Sequence, residues 1–191
     1  MLSLYYKLEN TVEIRGIKHS VKLSFDNVLK LIDMLNDDEI EEKYKVILGI
    51  NMMLGVSFLL PFEESYEIFN ELFQSFVAKK TEQTVELDLH GNPMPPKYKG
   101  DKENNYSLKH DADYIFSSFY QAYKIDLIEQ QGELHWDKFN ALLSGLPSDT
   151  KFKEVLEIRT WKPYKGCANE EKKRMKDLQK VYALPKGEGE N

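Results

Sequence analysis

His110, Asp111 and Asp113 stand together in the run His110-Asp111-Ala112-Asp113, and imidazole and carboxylate groups so placed are what a metal-dependent phosphohydrolase uses to hold its ion. The other histidines, His19, His90 and His135, complete no H-x-x-x-H or His/Cys ligand spacing with them. The plainer reading is a helix start, with Asp111 as the cap and His110 just ahead of it. Cys167 is the single cysteine, so it forms no internal disulfide and holds no zinc alone, and it points to a reducing compartment. It sits between Gly166 and Ala168 with no histidine near in sequence, and the chain has no G-x-S-x-G elbow. Gly187-Glu188-Gly189 is too acidic to cradle phosphate, and no Walker or dinucleotide fingerprint occurs. Lys172, Lys173, Arg174, Lys176 and Lys180 form a basic run, but Glu170, Glu171 and Asp177 interrupt it and no stacking aromatics alternate with it. The expectation is a protein that is not an enzyme and uses no cofactor or metal.

Shape is the richer signal. His135-Trp136-Asp137-Lys138-Phe139-Asn140-Ala141-Leu142-Leu143-Ser144-Gly145-Leu146-Pro147 is dense in packing residues. Trp136, Phe139, Leu142, Leu143 and Leu146 recur at three- and four-residue steps and so share one helix face. Gly145 and Pro147 end that helix, and Ser148 or Asp149 can cap the next. Tyr114, Tyr120 and Tyr123 on the preceding helix exceed what one small core needs. His135, Trp136, Phe139, Leu142, Leu143, Leu146, Tyr120 and Tyr123 are therefore the candidate protein-binding residues.

The elements that position them read as follows. Thr11–Ile14 and Val21–Phe25 alternate as strands around a loop at Arg15-Gly16-Ile17-Lys18-His19, with Leu4 to Leu8 as a third strand. Asp26 caps a helix bearing Val28, Leu31, Ile32 and Leu35. Asp38 with Glu41 forms a capping box opening a second helix to about Leu59. Val46 to Phe62 is uncharged but shorter than the ~20 residues of a bilayer span, which predicts a buried core helix. Pro61 starts a third helix with a stripe of Tyr66, Phe69, Leu72, Phe73, Phe76 and Val77. Residues 81–106 are rich in proline and glycine and read as a linker or long loop, with Thr84–Leu89 as a short strand within it. From Ser107 come helices bearing Ile115, Phe116 and Phe119, then Phe152, Val155 and Leu156, then a last one capped by Asn169 with Met175, Leu178, Val181 and Tyr182 inward.

The fold class predicted is α+β, mainly α, an N-terminal β-hairpin followed by a helical bundle in one or two subdomains. Its parts are 1–80, hairpin plus three helices; 81–106, linker or loop; 107–185, helical; and 186–191, a disordered tail. The chain has 191 residues, a hydrophobic fraction of 41% and 26 basic against 32 acidic residues. That balance favours solubility and disfavours nucleic-acid and membrane partners. Met1 to Lys7 lacks the pattern of a signal peptide.

The C-terminal half resembles a known family. Asp113-Tyr114-Ile115, Phe119, Tyr123-Lys124-Ile125-Asp126-Leu127, Leu134-His135-Trp136, Lys138-Phe139, Ala141-Leu142-Leu143, Gly145-Leu146-Pro147, Asp149-Thr150-Lys151-Phe152, Arg159 and Tyr182-Ala183-Leu184-Pro185 carry the likeness. The pattern is similar to the gene-product-fifteen proteins of siphophages and prophages of Gram-positive bacteria. Asp137, the stretch Trp161 to Ala168 and the loop Pro93 to Pro96 depart from it. The resemblance implies a tail assembly chaperone of the host bacterial cytoplasm that binds the tape measure protein, the tail tube protein or both, with no catalytic residues, and leaves homo-oligomerisation open. A structural tail or head-tail connector component is the first alternative; a metal-dependent hydrolase and a nucleic-acid-binding regulator follow.

Overall fold

The computed structural model describes residues 3–58, 60–78 and 105–185. Most of the expected linker, the strand expected at Thr84–Leu89 and the tail 186–191 lie outside them. The described residues hold a two-stranded antiparallel sheet and seven α-helices, an α+β and mainly α fold, as the sequence indicates. The chain divides into two units, Met1–Tyr98 with Gln131–Asn140, and Lys99–Gln130 with Ala141–Asn191.

In the first unit, β1 (Thr11–Ile14) pairs with β2 (Ile17–Ser20), with Ile14 opposite Ile17 and Thr11 opposite Ser20. The loop is only Arg15-Gly16, with φ of 51° and 76°; positive φ at both central residues matches the right-handed twist of the strands. The second strand therefore falls earlier than Val21–Phe25. That segment is buried at alternate residues, Val21, Leu23 and Phe25, and its amides are bonded elsewhere: Val21 N–H donates to Asn10 O at 2.7 Å, Lys22 N–H to Met53 O at 2.7 Å and Phe25 N–H to Leu134 O at 2.8 Å. Leu4 to Leu8 forms no strand, and Leu4 and Tyr5 are exposed.

Helix α1 (Phe25–Leu35) buries Phe25, Val28, Leu31, Ile32 and Leu35 on one stripe. Ser24, not Asp26, is the residue flanking its start. Asp26 lies in the first turn, where it accepts from Gly132 N–H at 2.8 Å and so ties the returning segment to this unit. Helix α2 (Glu42–Leu54) opens after Glu41, later than a box at Asp38 would place it, and ends at Gly55, whose φ of 71° is the left-handed close that glycine permits. It is not a wholly buried helix: Val46, Gly49, Ile50 and Met53 face inward, while Ile47 and Leu48 are exposed. Helix α3 (Phe62–Phe73) continues into one π turn, Gln74–Ala78. Tyr66, Phe69, Leu72, Phe73 and Val77 are buried as expected, but the wider turn rotates Phe76 to a half-exposed position.

In the second unit, α4 (Ala112–Tyr123) ends at Lys124 with φ of 57°. Helix α5 (Trp136–Ser144) runs across the boundary in sequence between the two units. Thr150, rather than Ser148 or Asp149, flanks α6 (Lys151–Thr160), and its hydroxyl donates to Pro147 O at 2.6 Å. Phe152 N–H donates to the buried Ser118 hydroxyl at 2.9 Å, joining α6 to α4. Helix α7 (Asn169–Val181) buries none of its residues fully. Its expected inward stripe is only half-buried at Met175, Leu178 and Tyr182, and Val181 is exposed. A helix so charged has too narrow an apolar stripe to sink into a core. Among the described residues no helix is long and apolar enough to cross a membrane.

Candidate protein-binding surface

Asp111 begins as the most reactive-looking residue of the chain and ends as a structural one. Its side chain is 1% exposed, and Arg159 donates to both oxygens at 2.7 Å. Ser107 N–H adds a third bond at 2.9 Å. Arg159 reaches further, donating from Nε to Tyr182 O at 2.6 Å and from Nη1 to Asn105 O at 3.2 Å. A carboxylate so saturated locks helix ends together, and His110 and Asp113 beside it face solvent. Among the described residues, no three His, Cys, Asp or Glu side chains converge as a metal site requires. The Cys167 thiol is buried and lies 3.4 Å from Glu171 Oε2. Burial pushes its pKa up, and the Glu171 carboxylate pushes it further. That keeps it protonated near neutral pH and a poor nucleophile.

Half of the candidate binding residues are core. Trp136 and Phe139 are each 1% exposed. Trp136 stacks on Phe139 at 5.7 Å between centroids, and Phe139 stacks on Phe25 at 5.0 Å. The indole N–H donates to Val77 O at 3.3 Å. His135 is half-buried, its backbone bridges Ser24, and its Nδ1 accepts from Asp137 N–H at 3.1 Å at the start of α5. The first turn of α5 thus closes the N-terminal unit. In the second unit Leu143 and Leu146 are buried and Leu142 is half-buried. Tyr123 is half-buried and donates its hydroxyl to Leu142 O at 3.0 Å. Of the eight residues, Tyr120 alone is open to solvent, with the Lys124 ammonium 5.9 Å from its ring centroid. The apolar periodicity that marks this stretch coincides with burial at four of the eight residues, Trp136, Phe139, Leu143 and Leu146.

A surface that sequence reading missed lies between the hairpin and α3. A cleft of about 260 Å³ is lined by the apolar Val12, Ile14, Ile68 and Leu72 and by the charged Glu13, Arg15, Glu64, Glu67 and Glu71. Arg15 closes one end through a bond from Nε to Glu64 Oε1 at 2.9 Å. Strand alternation presents Val12 and Ile14 to one face, and helical spacing sets Glu64, Glu67, Ile68 and Glu71 along one ridge. The period was visible in the sequence; the pairing of these two segments was not. The result is a cleft of mixed character, where four apolar side chains meet four glutamates and one arginine.

Comparison with known families matches residues 4–184 to the family described as Bacteriophage Gp15 protein. No curated protein and no solved structure matches the chain. The match spans nearly the whole sequence, so the chain belongs to that family.

Proposed function

From membership in the bacteriophage Gp15 protein family, we propose that this chain is a tail assembly chaperone. It binds the phage tape measure protein, the tail tube protein or both in the host cytoplasm, catalyses nothing, and leaves before the tail is complete. The observation that carries the reading is the cleft between the hairpin and α3, where apolar side chains and glutamates line one surface. A tape measure protein is a long helical chain whose apolar stripes must stay covered until the tube encloses them. A cleft that takes apolar side chains while its carboxylates stay hydrated covers such a stripe and keeps the complex soluble. The engagement of Asp111 by Arg159 supports a non-enzymatic role, since it ties up one of the two carboxylates that the sequence places in a catalytic pattern.

Co-expression with each tail protein tests this. The expected result is a larger soluble fraction of tape measure or tube protein and its co-elution with this chain. Recovery of neither overturns the reading. Mass spectrometry of purified virions separates a chaperone, which is absent, from a structural component, which is present at fixed stoichiometry.

A further inference from the structure

Helix α2 is apolar on two sides but packed on one. Val46, Gly49, Ile50 and Met53 are buried. On the other side Tyr44 is 51% exposed, Ile47 44% and Leu48 43%. Positions 44, 47 and 48 are i, i+3 and i+4, one continuous stripe. The Lys43 ammonium lies 4.8 Å from the Tyr44 ring centroid, and Ile47 and Leu48 extend the stripe as exposed aliphatic surface. Asn51, one turn on, ends it, with its amide bonded to the Ser57 hydroxyl at 3.0 Å.

The approach to the stripe is strongly acidic. Asp37, Asp38, Glu39, Glu41 and Glu42 lie among the seven residues before Tyr44. Lys43 sits 2.8 Å from Glu41, and the buried Lys45 sits 3.2 Å from Glu42. Both ammoniums are engaged locally, while Asp37, Asp38 and Glu39 stand exposed at the entry to the helix.

Size and charge together select the occupant. A stable globular interface uses about 20–30 residues on each side, and three side chains fall far short of that. A second copy would present the same small stripe, and its neighbouring ammoniums, Lys43 and Lys45, are already engaged by Glu41 and Glu42, so it brings no basic group from that stripe to the acidic lip. A single helix needs only a few anchors at this spacing. We propose that the outer face of α2 docks one amphipathic helix of a partner protein, with an apolar stripe over Tyr44, Ile47 and Leu48 and basic residues against Asp37 to Glu39. This rests on the reading of the chain as a protein-binding chaperone and adds a surface separate from the cleft of α3.

The test uses the full chain and a fluorescent 20-residue helical peptide with leucines at i, i+3, i+4 and i+7 and lysines at one end. Two controls carry glutamates for the lysines or the same residues scrambled. Anisotropy is expected to show saturable binding of the lysine peptide and at least tenfold weaker binding of both controls. Ile47→Ser with Leu48→Ser should weaken the lysine peptide at least tenfold, with the circular dichroism spectrum unchanged. Asp38→Lys with Glu39→Lys, at exposed positions, should weaken it similarly and remove its salt dependence. Glu67→Lys with Glu71→Lys, in the other cleft, should leave it unchanged. No binding by the wild type, or equal binding by both α2 variants, overturns the proposal. Co-expression separates it from the chaperone reading. Tape measure or tube protein recovered equally by wild type and the serine variant overturns the α2 surface alone. Peptide binding lost in the α2 variants, with neither tail protein recovered by wild type, overturns the chaperone reading alone.

Discussion

Replacing Arg159 by methionine keeps the aliphatic stem and removes the guanidinium. Asp111 then keeps one bond, from Ser107 N–H at 2.9 Å, and loses the two at 2.7 Å. With the Asp111 side chain 1% exposed and that of Arg159 10%, water does not readily replace them. Removing one partner of a buried pair strands the other charge, at a cost of roughly 3–5 kcal/mol. The bonds to Tyr182 O and Asn105 O vanish as well, at about 1 kcal/mol each before overlap, since the same ordering underlies all of them. Arg159→Met should therefore lower the free energy of unfolding by about 3–5 kcal/mol, a large share of a typical domain's stability.

Urea titration followed by circular dichroism measures this, with the midpoint and slope fitted separately. Asp111→Leu, alone and with Arg159→Met, completes a double-mutant cycle. If the two act as a buried pair, the double variant should be more stable than the sum of the single losses by about 0.5–3 kcal/mol. A loss under about 1 kcal/mol in Arg159→Met, or no coupling in the cycle, would refute the argument, because that is the behaviour of a screened surface bridge.

Two further perturbations follow from packing and titration. At Gly49 an added Cβ would fall against Cε2 of Phe69, with Cζ at 2.8 Å and Cδ2 at 3.0 Å, and Phe69 is 0% exposed. Gly49→Ala gains about 1 kcal/mol of helix propensity but should still destabilise by about 1–2 kcal/mol net in the same urea assay, and Phe69→Leu should restore part of the loss. Burial works against ionisation of Asp26, but bonds from Gly132 N–H, Lys30 and Ser24 outweigh it and hold its pKa below the ordinary 3.8. Its stabilising contribution is therefore present above pH 3.8 and is lost as pH falls through the lower folded value. Asp26→Asn should be less stable than wild type at neutral pH, and the gap in urea midpoint should narrow only below that pH.

Legibility divided along physical lines. Local periods transferred well: the stripe Val28, Leu31, Ile32, Leu35 is buried, and so is that of Tyr66, Phe69, Leu72, Phe73 and Val77, with Phe76 the exception. The hairpin was legible because Gly16 supplies positive φ, yet its second strand was misplaced. Alternation at Val21, Leu23 and Phe25 reports alternate burial and does not name the hydrogen-bond partner, which here is supplied by Met53 O and Leu134 O. Capping chemistry misled at Asp38, since Glu41 flanks α2. Asp111 was legible as a polar helix start, but its partner lies 48 residues away, and no local rule supplies such a distance. The cleft and the outer face of α2 were hidden for the opposite reason. Apolar side chains left at the surface look in sequence like those of a core.

That last point bears on how binding should be sought in this chain. Trp136 and Phe139 draw the eye, and an aromatic at an interface is a common anchor. Here they form a stack with Phe25 that closes the N-terminal unit, and truncating Trp136 removes a core side chain at a cost of about 3–5 kcal/mol. A pull-down with Trp136→Ala would lose its partner whether or not Trp136 touches it, because the cleft and α2 both belong to the unit that Trp136 closes. Tyr44, Ile47 and Leu48 invert the relation. Their outer faces carry little of the fold, so a loss of binding there, with folding intact, reports contact itself.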